Sequence, residues 1–279
     1  MKQKGFTLIE LLAVIVILAI IALIATPLVL KYIETARKDT FKNTIESIER
    51  VAELKVMDMQ TKGNVNYPLE LDVKDLDLKN KEKLNGTVTI EKDANNKYTY
   101  TYDITDNEYK IYGTKESEVY KLDKTVKLKL KTANGVIDDE NNLVYSFYDE
   151  SDDSLGYEEI AFDDYFEAEN GTLEFQKNDF YNLDSTGSKI ILKDKNDKIV
   201  KVYTVVIFGD IDGTGWVDGT DISFIDLYLN RKVSFNNAEL KAADLNGDGV
   251  INKDDMNIID NYAGWVCSYN QITNICEEY

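Results

Sequence analysis

The hydrophobic pattern of the chain changes character along its length. Leu11 to Leu30 is a continuous apolar run with no charged side chain, and Thr26 is its one clearly polar residue. About twenty such residues span a bilayer as a helix. Beyond it, Ile33, Ala36, Phe41, Ile45, Ile48, Ala52 and Val56 recur at spacings of three to five, among Lys, Glu, Asp, Arg, Thr and Asn. That is one apolar stripe on an otherwise wet helix. The spacing predicts a helix from Phe6 to about Gln60, about 80 Å long at 1.5 Å per residue. Pro27 should bend or loosen it, and it should stop near Thr61-Lys62-Gly63.

The period then falls from 3.6 to 2. Thr87 to Glu91, Tyr98 to Tyr102 and Tyr109 to Tyr112 read as three antiparallel strands, with turns at Asp93 to Asn96 and Thr105 to Asn107. Their alternating tyrosines invite a carbohydrate-platform reading. Tyr is also simply a good half-buried strand residue, and that reading is preferred. A second β-rich stretch follows from Glu118 to Phe208, with strands at Val126 to Leu130, Leu143 to Phe147, Lys189 to Leu192 and Val200 to Ile207. Phe162 to Phe166 reads as a helical turn. The acidic run Asp149-Glu150-Ser151-Asp152-Asp153 reads as a solvated loop.

Two segments near the C-terminus share one chemistry. Asp210, Asp212, Thr214, Asp218 and Asp221 place oxygen-bearing side chains at the first, third, fifth, ninth and twelfth places of a loop. Asp244, Asn246, Asp248, Asn252 and Asp255 repeat the pattern. Gly215 and Gly249 hold the sixth place, where the chain must turn sharply, and the seventh residues, Trp216 and Val250, can offer backbone carbonyls. Hard oxygen ligands wrapped around one ion are calcium-loop chemistry. An apolar helix pattern follows each loop: Ile222, Phe224, Ile225, Leu227 and Leu229, then Met256, Ile258, Ile259 and Tyr262. A lone loop of this kind could be an Asp-Gly turn, but two in matching register predict two Ca2+ sites. Thr214 is a neutral ligand, so the first loop should bind more weakly or use a water.

Composition narrows the rest. The chain has 51 acidic and 32 basic residues, no histidine, two cysteines and a net charge of −19. Without histidine there is no Ser-His-Asp triad, Cys-His pair or histidine-ligated zinc or haem. The acidic surface repels phosphate backbones, so no nucleic-acid partner is expected. An enzyme is not expected either. A glycosidase needs a placed acid pair, and calcium accounts for every well-spaced pair here.

The first residues, Lys2-Gln3-Lys4-Gly5-Phe6-Thr7-Leu8-Ile9-Glu10, resemble the type IV prepilin signature. That resemblance implies cleavage by a prepilin peptidase between Gly5 and Phe6, followed by methylation of the new amine. It gives Glu10 a registry role in a filament, paired with the amine of Phe6 in a neighbouring subunit. A carboxylate on a membrane helix costs a few kcal/mol unless paired; the alternative is a Glu reaching to the headgroups. The resemblance also implies that the stripe lies on a sheet.

Residues 209–264 resemble the type I dockerin, a duplicated loop-helix module: the twelfth place is Asp, and no helix precedes the first loop. The stretch from Thr186 to Asp210 resembles the small β module that often precedes dockerins. Dockerins plug into a cohesin domain, and the tenth and eleventh loop places, Gly219-Thr220 and Lys253-Asp254, carry much of the partner choice. The two pairs differ, so a symmetric two-way binding mode is not expected. A purely structural, calcium-held tip is the alternative to cohesin binding. Cys267 and Cys276 of an exported chain can form a disulfide, contributing up to about 3 kcal/mol, or stay as two thiols.

The expected architecture is α+β multidomain. It comprises a leader (1–5), a hydrophobic then amphipathic helical spine (6–62), a small antiparallel head (63–117), a β-rich module (118–208), a dockerin-like pair of calcium loop-helix motifs (209–264) and a tail with the Cys pair (265–279). The expected function is a pilus subunit, a minor pilin or pseudopilin, inserted in the membrane before assembly beside other pilin subunits. It would show a calcium-held module at the cell surface. The alternative is a membrane-anchored adaptor that recruits cohesin-bearing proteins without entering a filament.

Overall fold

The computed structural model describes residues 7–63, 65, 67–147, 160–178 and 184–278. The cleavage residues Gly5 and Phe6, and the acidic run 149–153, lie outside these.

Helix α1 runs from Leu8 to Thr61, continuous through Pro27. Thr7 caps it in a reciprocal box with Glu10: the Glu10 amide donates to the Thr7 hydroxyl (3.3 Å), and Glu10 Oε2 accepts from the Thr7 amide (2.8 Å). The Glu10 carboxylate is thus spent on the helix start within the single chain. The N-terminal half, Leu8 to Leu30, is exposed throughout except for partial cover at Ile24's neighbour Ala25. It is long and apolar enough to cross a membrane, and none of that window is buried.

The C-terminal half of α1 buries Phe41, Ile45, Ile48, Ala52 and Val56. They pack on a five-stranded antiparallel meander: β1 (Leu69–Asp72), β2 (Asn85–Lys92), β3 (Tyr98–Thr105), β4 (Tyr109–Gly113) and β5 (Val119–Lys121). The stripe begins later than its sequence spacing implies. Ile33 and Ala36 are exposed, because the sheet ends alongside Phe41; there Arg37 pairs with Glu108 (2.8 Å) at the rim. Val88, Ile90, Ile104 and Ile111 supply the sheet's side of the core, and Tyr98 and Tyr100 pack against it. The tyrosines are therefore core-facing strand residues. Fully burying each aliphatic side chain contributes about 1.5–3 kcal/mol. This sheet reaches Lys121, past the 63–117 bounds read from sequence.

The second unit is built on a mixed sheet ordered β10-β11-β12-β8-β7. Its strands are β6 (Lys127–Leu130), β7 (Val136–Asp138), β8 (Leu143–Tyr145), β9 (Phe166–Glu169), β10 (Thr172–Gln176), β11 (Lys189–Lys193) and β12 (Ile199–Val205). Strands β12 and β8 are parallel, while β6 and β9 form a separate antiparallel ribbon. The short helix α2 (Phe162–Tyr165) precedes β9. Phe147, Phe162, Phe166, Ile190, Leu192 and Val205 lie in its core. Tyr120 on β5 donates its hydroxyl to the Ile199 carbonyl (2.6 Å), and Lys198 pairs with Glu118 (2.5 Å), so the two sheets are bonded together.

The third unit holds α3 (Gly219–Leu229), α4 (Asn237–Ala243) and α5 (Lys253–Ala263), and a terminal hairpin of β13 (Cys267–Asn270) and β14 (Ile275–Glu278). Its core joins Phe208, Ile211, Ile225, Ala242, Leu245, Ile259 and Tyr269 to Leu143 of β8. The α4 helix and the hairpin were not visible in the sequence pattern. The architecture is α+β multidomain, with the long helix first and the helical module last.

Candidate metal centre

Each calcium-type loop is held by its twelfth residue. Asp221 opens the first turn of α3 behind the cap residue Asp218. Asp221 Oδ1 accepts from the amides of Ile211 (2.7 Å) and Asp212 (3.2 Å), and Oδ2 from that of Asp218 (2.9 Å). Asp255, in the first turn of α5, repeats this on Leu245 (3.0 Å), Asn246 (3.3 Å) and Asn252 (2.9 Å). The first-place carboxylates, Asp210 and Asp244, accept from the sixth-place amides of Gly215 (3.1 Å) and Gly249 (3.2 Å). These glycines have φ of +83° and +80°, a left-handed turn that a side chain would strain.

The remaining loop places match as well. Asp212 and Asn246 each accept from the fifth-place amide, of Thr214 (3.1 Å) and Asp248 (2.9 Å). Thr214 and Asp248 in turn accept from the seventh-place amides of Trp216 (3.4 Å) and Val250 (2.8 Å). Thr214 thus serves in the loop's skeleton as Asp248 does. Asn252 and Asp218 both cap the helices that follow. The two loops thus share one hydrogen-bond skeleton, and in the first the carboxylates of Asp210, Asp212 and Asp221 also converge.

The electrostatics call for a cation. Carboxylate oxygens of Asp210, Asp212 and Asp221 all lie within 4.8 Å of one another. Asp210, Asp221 and Asp255 are fully buried. Burial, reinforced by the neighbouring Asp221 and Asp212 charges, pushes the Asp210 carboxyl up to about 8. Burial and Asp212 push Asp221 up to about 7, and burial also raises Asp255. Carboxylates converging at this spacing in a protein interior repel unless an ion neutralises them. An all-oxygen donor set with a Gly-turned loop fits Ca2+. In the second loop the third and ninth places are Asn, so its carboxylates come from Asp244, Asp248 and Asp255.

Gly219, Thr220, Lys253 and Asp254 are exposed on the first turns of α3 and α5. Cys267 and Cys276 are joined as a disulfide, Cα to Cα 5.5 Å. It ties β13 to β14, whose register sets Tyr269 opposite Cys276. The hairpin grips the module at its start and at its second loop. Gln271 accepts from the Phe208 amide (2.8 Å) and donates to its carbonyl (2.9 Å), and the Tyr269 hydroxyl donates to the Leu245 carbonyl (2.7 Å). Sequence reasoning missed Gln271, Tyr269 and the residues around Thr186, because bonds between distant segments leave no periodic trace.

A family model described as the prokaryotic N-terminal methylation motif matches residues 1–26, and one described as the dockerin type I domain matches residues 208–263. No curated protein and no solved structure matches the chain. The chain therefore joins a pilin-type methylation motif to a type I dockerin domain. The motif and the domain support a pilin-like surface protein with a calcium-binding module, and the apolar helix fits membrane insertion before surface display.

Proposed function

We propose that this chain is a minor pilin or pseudopilin that carries its dockerin outward on the assembled filament. A prepilin peptidase would cut between Gly5 and Phe6, and the exposed half of α1 would leave the membrane to pack among the helices of other pilin subunits. Two Ca2+ ions, one per loop, would hold the dockerin folded. A cohesin-bearing protein is the attachment it would make, through α3 and α5 and their first-turn residues Gly219, Thr220, Lys253 and Asp254. The role is structural and adhesive rather than enzymatic.

The observation that carries this reading is the pairing, in one chain, of a helix whose apolar half has no buried residue with a twinned oxygen-ligand loop at the far end of the sequence. A free-standing membrane adaptor needs only the apolar run, not the Gly5-Phe6 processing site ahead of it. Immunogold labelling with antibody to residues 209–279 tests it. Gold along surface filaments is expected; gold confined to the cell envelope, with filaments bare, favours the adaptor instead.

A further inference from the structure

The first calcium loop does not stand alone. Segment 184–188, which leads into β11 of the β module, lies against it, with Ser185, Thr186 and Ser188 buried. The Thr186 amide donates to Oδ2 of Asp210 (2.8 Å), the first-place ligand. The Ser185 hydroxyl donates to the Gly213 carbonyl (2.9 Å). Asn178 Nδ2 donates both to that carbonyl (3.0 Å) and to the carbonyl of Thr186 (2.8 Å). The Thr186 hydroxyl bonds the Ile207 amide and carbonyl (3.0 Å each) just before the loop.

The approach is close enough to depend on a glycine. At Gly213, φ +70°, a Cβ would meet Asn178 Nδ2 at 2.5 Å and the Thr186 carbonyl at 2.8 Å. Gly247 holds the same place in the second loop with the same φ, +70°, and a Cβ there would meet nothing nearer than 3.8 Å. The two positions share their backbone demand and differ in what is pressed against them.

We propose that the β module completes the first calcium site, so that Ca2+ at Asp210–Asp221 and docking of segment 184–188 are one linked equilibrium, while the second loop binds independently of it. The proposal rests on the calcium reading of the loops. Thr186 is a positioning residue: its amide fixes one oxygen of Asp210, which would otherwise have to be ordered when the ion binds. Linkage is reciprocal, so the ion must tighten the segment as much as the segment tightens the ion. Calcium then sets the stiffness of the joint between the dockerin and the rest of the molecule.

Hydrogen exchange on the full-length chain in detergent micelles tests this. Calcium, against chelator, is expected to slow exchange in peptides covering 184–190 as well as in both loops. Terbium luminescence sensitised by Trp216, in a Trp265→Phe background, reads loop-one affinity. Gly213→Ala is expected to weaken it about tenfold, and Gly247→Ala, with equal backbone strain, to leave it unchanged. Asn178→Ala, which alters neither loop, should also weaken loop one and abolish the calcium response of 184–190. Protection of 210–221 without any change at 184–190, or an unaltered loop-one affinity in Asn178→Ala, overturns the proposal while leaving the calcium sites standing. Protection at neither loop overturns the calcium reading itself, and the proposal with it.

Discussion

Loops Asp210–Asp221 and Asp244–Asp255 share one hydrogen-bond skeleton and live in different surroundings. In both, the twelfth-place Asp collects three backbone amides and the first-place Asp holds the sixth amide. In the first, Asp210, Ile211, Gly213 and Gly215 are buried, and Thr186, Ser185 and Asn178 of the β module bond Asp210 and Gly213; in the second, residues 246–250 are exposed. A duplicated local sequence therefore gives a duplicated local structure, while the energetics of each copy are set by what folds against it. The ligand pattern alone marks Thr214 as the weak point of the first loop; its packing adds bonds from the β module, where the second loop takes its anchor from the tail hairpin through Tyr269.

The largest test of that contrast is to remove the twelfth-place carboxylates. Asp221→Ala and Asp255→Ala each strand one buried amide, that of Ile211 or Leu245, at about 1–3 kcal/mol, and each should abolish calcium binding at its own loop. Thermal melts in calcium should fall for both. They should fall further for Asp221→Ala, because the joint to segment 184–188 is lost with it. Equal losses would mean that the two surroundings contribute nothing different.

A second test uses pH. The folded carboxyls of Asp210 and Asp221 sit at about 8 and about 7, above their ordinary value of 3.8. The calcium-free fold thus binds protons that the unfolded chain has released. The stability these groups support is fully present below about pH 4 and is lost as pH rises toward 8. Bound calcium replaces those protons. The calcium-induced rise in melting temperature should therefore be larger at pH 8 than at pH 5, and calcium affinity should fall as pH falls. A rise independent of pH would contradict the buried-carboxylate account.

How much of this was legible beforehand divides along the same line. The helix, its stop near Thr61, the principal strands and the twinned hydrogen-bond skeleton of the two loops follow from local spacing, because each depends on residues a few positions apart. The edge strands β1, β5 and β10 escaped because three to five residues with at most one fully buried side chain carry too short a period. Helix α4 escaped because its apolar face is made of alanines. The stripe's true start at Phe41 depends on where a distant sheet ends, and the loop-one joint depends on Asn178 and Thr186 meeting Gly213 across the fold. Neither has a signature in the sequence pattern.

A smaller effect is expected from restoring the usual ligand charge in the first loop. Thr214→Asp places a carboxylate where Asp248 stands in the second. Affinity in calcium loops rises with ligand charge, so loop-one affinity should increase about tenfold or less, read by terbium competition with calcium. No gain would place the limit of that loop in its packing rather than its fifth ligand.

The smallest effect separates the loops from the other side. The Tyr269 hydroxyl donates to the carbonyl of Leu245, the second residue of the second loop, whose own amide is held by Asp255. Tyr269→Phe keeps the ring in its buried place beside the disulfide and deletes the hydroxyl's bond to Leu245, worth about 0.5–1.5 kcal/mol. The carbonyl of Leu245 is left without the hydroxyl, and the loop loses an anchor that the tail hairpin supplies. Loop-two affinity should fall a few-fold and loop-one affinity should stay fixed, since the hairpin reaches the first loop's side through Gln271 and Phe208, not through Tyr269. Calcium titration by calorimetry, with terbium at Trp216 reporting the first loop separately, reads both. A matching fall at loop one would show that the hairpin supports the two loops as one body.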